Sequence, residues 1–159
     1  MAQVYISIGS NIEPRRYIHA GLADMQEYFG PLTLSAVYES EAVGFQGDNF
    51  YNLVAGFETS LDIEQVANTL HIIETNNDRK RTDKRFSART LDLDILLYDD
   101  LIITDKVPRD EILKYAFVLL PLSEIAPDLK HPITEQTYAE LWHAFDKKEQ
   151  ALWRVSVGL

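Results

Sequence analysis

The sequence predicts an α+β fold, a ferredoxin-like sandwich in which helices pack on one face of an antiparallel sheet. Three observations predict it. Short runs rich in β-formers occur at residues 4–8, 32–38, 52–59 and 90–98, and two stretches with apolar residues at helical spacing lie between them. Their order is strand, helix, strand, strand, helix, strand. The length of 159 residues, 46% of them hydrophobic, suits a single domain, residues 1–159, that closes its own core.

Residues 4–8 alternate apolar with small or polar side chains and lead into a turn at Gly9, Ser10 and Asn11. Pro14 suits a first helical turn, Ile18, Leu22, Met25 and Phe29 recur at helical spacing, and Gly30-Pro31 stops the helix. Two strands follow, joined by a long loop at residues 40–48 that carries two glycines, two acids and a glutamine. Asp62 is placed to cap a second helix with Gln65 three residues on, and Ile63, Val66, Ala67, Leu70 and Ile73 form its buried stripe, which ends near Glu74. Residues 75–88 are polar and aperiodic, a loop long enough in so small a chain to suggest a functional role. After the strand at 90–98, Asp99-Asp100 reads as a turn into a short strand at 101–103. Tyr138, Leu141, Trp142 and Phe145 mark a last helix with Thr134 as its cap, and residues 153–157 a final strand.

Composition narrows the chemistry. There is no cysteine, so neither disulfides nor thiolate nucleophiles or ligands are available, and any catalysis relies on oxygen and nitrogen groups. The N-terminal MAQVYISIGSN lacks a basic flank and a long apolar run, and no stretch of about 18 apolar residues occurs. A cytoplasmic location without membrane contact is the expectation. The net charge of −10 disfavours nonspecific nucleic-acid binding. Within it, residues 79–89 hold six cations (Arg79, Lys80, Arg81, Lys84, Arg85, Arg89) against Asp83 alone, a local anion site suited to a small polyphosphate.

Successive side chains of a strand alternate faces, so Asp92 and Asp94 project together from Cα atoms about 6.6 Å apart. Leu91, Leu93, Ile95 and Leu97 take the opposite face and anchor the strand in the core. Magnesium favours one or two carboxylates plus phosphate oxygens, and two such ions can clamp a phosphoryl displacement. By itself an Asp-x-Asp pair reads more readily as a solvated strand face, and the basic segment as a solvated turn. Their adjacency, with Arg89 three residues before Asp92, favours a polyanion held between acids, cations and arginines. Of the histidines, His19 and His143 read as exposed helix residues, and His131 as shaping a turn before Pro132.

Arg89-Thr90-Leu91-Asp92-Leu93-Asp94-Ile95 resembles the RTLDLDI signature of the 6-hydroxymethyl-7,8-dihydropterin pyrophosphokinases of folate synthesis. The opening ISIGSNI resembles that family's first strand and turn, and FVLLPLSEIAPDL followed by His131-Pro132 its late segment, so the likeness spans roughly residues 4–145. The resemblance implies a ferredoxin-like domain, two magnesium ions, ATP as co-substrate, release of AMP, and a diphosphate left on the pterin's hydroxymethyl oxygen. It implies that Asp92 and Asp94 hold both ions and that Glu74 lies near the nucleotide, with His71 one turn before it. Arg79, Arg81, Arg85 and Arg89 fall in the basic loop and its strand junction, Arg79 and Arg89 as transition-state stabilisers, and Ile95 closes the signature. Phe50, Asn52 and Phe117 fall at pterin-binding positions, with Val43 at the border of the pocket. The loop at 42–48 and the basic loop would close over ATP.

The chain departs from the family's pattern at Ser40-Glu41, where Thr-Pro is usual, and at Phe86-Ser87-Ala88, which keeps an aromatic where Trp-Gly-Pro is common. Arg109-Asp110 stands for a His-Pro, and Tyr115 for an arginine, both at positions that normally help hold ATP phosphates. Arg109 or Lys114 would have to substitute. A monomeric enzyme acting on small molecules is the main expectation. A pterin- or nucleotide-binding paralogue without catalysis, and a ferredoxin-like RNA-binding module, are the alternatives, the second opposed by the acidic remainder of the chain.

Overall fold

A computed structural model describes residues 1–43, 46–79, 88–148 and 150–159. Its centre is a six-stranded antiparallel sheet formed by β1 (Ala2–Ser10), β2 (Thr33–Leu34), β3 (Val37–Ser40), β4 (Phe50–Thr59), β5 (Asp92–Tyr98) and β6 (Leu152–Val155). The strands run in the order β5-β1-β4-β3-β6, with β2 alongside β4. β1 is paired along its whole length with β4, from Ala2 opposite Thr59 to Ser10 opposite Tyr51.

The alternation of β1 separates two cores. Val4, Ile6 and Ile8 are fully buried on one face with Leu53, Ala55 and Phe57 of β4. There they meet Ile18, Leu22 and Met25 of α1 (Pro14–Phe29) and Val66, Leu70 and Ile73 of α2 (Ile63–Asn76). Pro14 begins α1, whose end is a glycine, Gly30, at φ 85°, the left-handed region a side chain would strain. α2 begins with the capping box expected of Asp62 and Gln65 and runs two residues past Glu74.

The other face is also covered, which departs from the expected single helical layer. α3 (Glu111–Lys114), α4 (Ala116–Ile125) and α5 (Tyr138–Ala144) supply Ile112, Val118, Leu119, Leu122 and Tyr138 to a second core with Val54, Leu96 and Leu97. The sequence AFVLLPLSEI of α4 is apolar nearly all round and contains Pro121, so it offers no 3.6-residue stripe from which a helix could be read. The α+β class holds; the sheet is simply sandwiched between two helical layers.

Other local differences have plain causes. The register between β1 and β5 shifts so that Ile6 faces Ile95 while Tyr5 faces Leu97, an extra residue that turns Leu97 into the second core instead of keeping it with Leu91 and Leu93. The short strand expected at 101–103 amounts to one bridge between Ile103 and Val107. α5 is capped by Thr137, whose hydroxyl accepts the Glu140 N–H at 3.1 Å, and not by Thr134. β6 starts one residue earlier and ends two sooner than expected.

His131 does shape the turn before Pro132. It is buried, and its Nδ1 accepts the N–H groups of Ile133 at 3.1 Å and Thr134 at 3.3 Å. Burial lowers its proton affinity. The unfolded chain therefore takes up a proton first as pH falls, so this group's contribution to stability is complete above about pH 6.5 and is lost below it. Urea unfolding of the wild-type protein should show this acid-side loss, whereas His131→Asn, which keeps a side-chain acceptor but cannot titrate, should lack that component.

Candidate functional site

β5 lies at a sheet edge with β1 on its inner side, where Asp92 faces Gly9 and Asp94 faces Ser7. Leu91 and Leu93, buried under α1 and α2, fix which way the acids project. The contact is close: a Cβ on Gly21 of α1 would come within 2.8 Å of Leu91, so α1 must pass the start of β5 without a side chain there. Asp92 and Asp94 therefore share the face opposite α1 and α2, as the spacing predicts.

Glu74, at the end of α2, closes the open edge of β5. Its buried carboxylate accepts the Leu93 N–H at 2.8 Å and one guanidinium N–H of Arg79 at 2.5 Å, and the same Arg79 nitrogen reaches Asp92 Oδ1 at 2.5 Å. Burial raises the proton affinity of Glu74, and the Leu93 bond and Arg79 work against it. His71 Nδ1 lies 3.4 Å from the other Glu74 oxygen on an exposed side chain. Asp94 is paired with Arg109 at 3.4 Å, and Arg109 also bonds Glu111 at 2.9 Å. Burial first, then the charge of Asp92, holds Asp94 well above the usual carboxylate range, with Arg109 opposing.

Two cavities meet at these groups. The larger, about 1110 Å³, runs between α2 and the segment around Lys106 and Val107, and His71, Glu74 and Ile95 also line it. The smaller, about 390 Å³, is walled by Phe50, Asn52, Ser40, Val43 and Phe117. Arg79, Asp92, Asp94 and Arg109 border both. The aromatic side of the smaller cavity is doubled: the Tyr115 ring stacks on Phe117, with centroids 5.0 Å apart and planes 13° from parallel. Two of its polar atoms, Ser40 Oγ and Asn52 Nδ2, are buried with no hydrogen-bond partner among the described residues. The Asn52 amide fits only because Gly9 has no side chain, since a Cβ there would stand 2.9 Å from Asn52 Oδ1.

The structure thus brings together Glu74, His71, Arg79, Asp92, Asp94, Ile95 and Arg109, and beside them Ser40, Val43, Phe50, Asn52 and Phe117. Arg89 is buried and lines the smaller cavity. Arg81, Arg85 and Phe86 lie outside the described residues. Lys114 is not among the residues lining either cavity; it pairs with Asp110 at 2.9 Å and borders a separate surface groove, whereas Arg109 borders both cavities.

Sequence reasoning missed two residues. Glu111 follows Arg109 by two positions, a spacing that could have signalled a pair. Asn11 reads in the sequence only as a turn residue, yet its Oδ1 accepts the Arg89 N–H at 2.7 Å, its Nδ2 donates to the Asp48 carbonyl at 3.1 Å, and its own N–H donates to the Arg89 carbonyl at 3.0 Å. One amide thereby ties the loop ahead of β4 to the segment that carries Arg89.

A sequence model of the family described as 7,8-dihydro-6-hydroxymethylpterin-pyrophosphokinase matches residues 5–127. The 2-amino-4-hydroxy-6-hydroxymethyldihydropteridine pyrophosphokinase of Aquifex aeolicus is 37% identical over 145 residues, covering 88% of this chain and 90% of its own. The Pseudomonas aeruginosa protein of the same name is 40% identical over 138 residues, covering 82% of this chain and 84% of its own. Among solved structures, a Plasmodium falciparum HPPK-DHPS aligns with a TM-score of 0.70 at 15% identity over 90% of this chain, a likeness of fold. This chain spans only 43% of that longer one.

The Asn11 bridge gives a direct test. Asn11→Ala should abolish protection of the Arg89 amide in hydrogen exchange and lower unfolding stability by about 1–3 kcal/mol, the cost of an unsatisfied buried N–H. Asn11→Asp keeps the acceptor but not the donor, so it should preserve protection of Arg89.

Proposed function

The chain belongs to the 7,8-dihydro-6-hydroxymethylpterin-pyrophosphokinase family, and on that premise we propose that it transfers pyrophosphate from ATP to the hydroxymethyl group of 6-hydroxymethyl-7,8-dihydropterin in folate biosynthesis, releasing AMP. One observation carries the reading: the paired acids, together with Arg79 and Arg109, stand on the wall shared by a larger cavity and a smaller aromatic one. A two-substrate transfer requires such a junction, with the donor in one space and the acceptor in the other.

The smaller cavity suits a flat heterocycle. Phe50 and Phe117 offer faces for stacking, and the unpartnered Asn52 N–H and Ser40 hydroxyl offer polar contacts to an amide-like ring edge. The larger cavity takes ATP, with its triphosphate toward Arg79 and Arg109. Attack by the hydroxymethyl oxygen forms a bond to the β-phosphorus, breaks the bond from that phosphorus to the α–β bridging oxygen, and expels AMP with the electron pair, while the hydroxyl proton passes to water. Arg79, Arg89 and Arg109 neutralise charge on the moving phosphates. For Arg81, Arg85 and Phe86 the family pattern supports nucleotide contacts by the arginines and a pterin contact by the aromatic.

Asp92 and Asp94 fit magnesium. They are hard oxygen donors on one face, and a divalent cation offsets both the burial and the neighbouring Asp92 charge that raise Asp94's proton affinity. Two bound ions would supply charge neutralisation for both the attacking and the leaving oxygens. Glu74 and His71 support the acids from the nucleotide side. A monomeric catalytic unit belongs to the same reading. No helix among the described residues is long and apolar enough to cross a membrane, and a cytoplasmic address fits the use of ATP.

Incubation with ATP, magnesium and the hydroxymethyl pterin should give a product two phosphates heavier together with AMP. A single added phosphate with ADP would contradict the mechanism, and binding of both ligands without AMP would identify a non-catalytic paralogue. Asp92→Asn and Asp94→Asn should each lower turnover by about a thousandfold or more with the fold intact by circular dichroism. Near-normal turnover in either would remove that residue from the metal assignment.

A further inference from the structure

Arg109 is placed to do more than meet a phosphate. Its backbone is fixed: the N–H donates to the Leu96 carbonyl at 3.0 Å, and Val107 and Ile112 on either side are buried. Its side chain is divided between two acids. Nη2 stands 3.4 Å from Asp94 Oδ1 and 2.9 Å from Glu111 Oε1, and Nε donates to the same Glu111 oxygen at 2.9 Å. The guanidinium therefore lies against the carboxylate proposed to hold metal, and it already has a second acceptor toward which it can lean.

A divalent cation on Asp94 and a guanidinium at 3.4 Å compete for one oxygen. Holding both would set like charges side by side in a half-buried site, where repulsion is only partly screened. The conflict ends when a polyphosphate arrives, because its oxygens accept the guanidinium fork and also share the metal. We propose that Arg109 is a resident counter-cation of Asp94, which keeps the metal carboxylate occupied until a metal-bound polyphosphate exchanges for it, with Glu111 as the rival acceptor that eases the guanidinium away.

This rests on the reading of Asp94 as a metal ligand. It explains how acids built for metal remain compensated when nucleotide is absent, and it makes metal and nucleotide bind as a unit. By linkage, whatever the nucleotide adds to metal affinity the metal adds to nucleotide affinity.

The test is titration of the full chain with Mn2+, followed by the electron paramagnetic resonance signal of the free ion, with and without an ATP analogue whose α–β bridge is a methylene group. Without nucleotide, Arg109→Gln should bind Mn2+ roughly tenfold more tightly than the wild type, since a competing cation is gone. Arg109→Leu should do the same, which makes the result independent of glutamine's own polar groups. Arg109→Lys, which keeps the charge, should stay near the wild type. Lys114→Gln removes a cation that pairs with Asp110 away from the cavities and should change nothing, which excludes a general effect of net charge. With Mn2+ present, the analogue should bind Arg109→Gln about tenfold more weakly than the wild type by calorimetry, the reverse of the metal effect. Equal nucleotide-free Mn2+ affinity in the wild type and both neutral variants would overturn the exchange while leaving the metal site standing, provided the wild type binds Mn2+ with the analogue. Failure of the wild type to bind Mn2+ even then would overturn the metal site and the exchange with it.

Discussion

The burial of Leu91 and Leu93 beneath α1 and α2 is the constraint on which the site depends. A strand offers its two faces alternately, so each leucine driven into the first core commits a neighbouring aspartate to the opposite face. The acids repel each other, and a loop carrying them would relax until they parted. Fixed by the packing of its neighbours and by the β1 ladder, β5 cannot do this. The bulge beyond Ile95 then turns Leu96 and Leu97 together into the second core, so the strand is gripped from both sides just past the acids. Rigidity of the pair comes from apolar packing, whereas its chemistry comes from the charge left over.

That charge is not balanced by chance. Glu74, Asp92, Asp94 and Glu111 stand against Arg79 and Arg109, and each arginine is shared between two acids. Glu74 has the most constrained position: it is buried, it closes the edge of β5 through the Leu93 N–H, and it holds Arg79 against Asp92. Losing it would expose an edge N–H and release an arginine at once. A cluster with more carboxylates than guanidinium groups gains from added cations, and one with shared arginines can give them up to an incoming anion without leaving any acid wholly uncompensated.

Much of this was legible in the sequence because the signals were local. Asp62 with Gln65, Pro14 with Gly30, and the alternation around Asp92 and Asp94 each state their geometry within a few residues, and each holds. What was hidden depended on long-range contact or on a missing pattern. α4 has no polar face because it lies under two other helices and against β4, so its periodicity is erased by burial. The bulge that redirects Leu97 exists only in the pairing with β1. Asn11 looked like any turn asparagine, and its partners, Asp48 and Arg89, are 37 and 78 residues away. The cavity residues Phe50, Asn52 and Phe117 are legible only through the family pattern, since nothing in a lone phenylalanine separates a ligand wall from ordinary core.

Two of the departures from the family's pattern, at Arg109 and Tyr115, are best understood together. The position where an arginine is usual holds Tyr115, and the position where a histidine is usual holds Arg109. Both residues border the same small cavity, Arg109 ahead of α3 and Tyr115 just after it, so the guanidinium stands at the opposite end of α3 from the position where an arginine is usual. From there it reaches Asp94 at 3.4 Å and brings a permanent positive charge, where a histidine's charge would depend on pH. Tyr115 meanwhile extends the aromatic wall through its stack on Phe117. The two residues together set a positive charge beside the acids and aromatic surface beside Phe117, at opposite ends of α3.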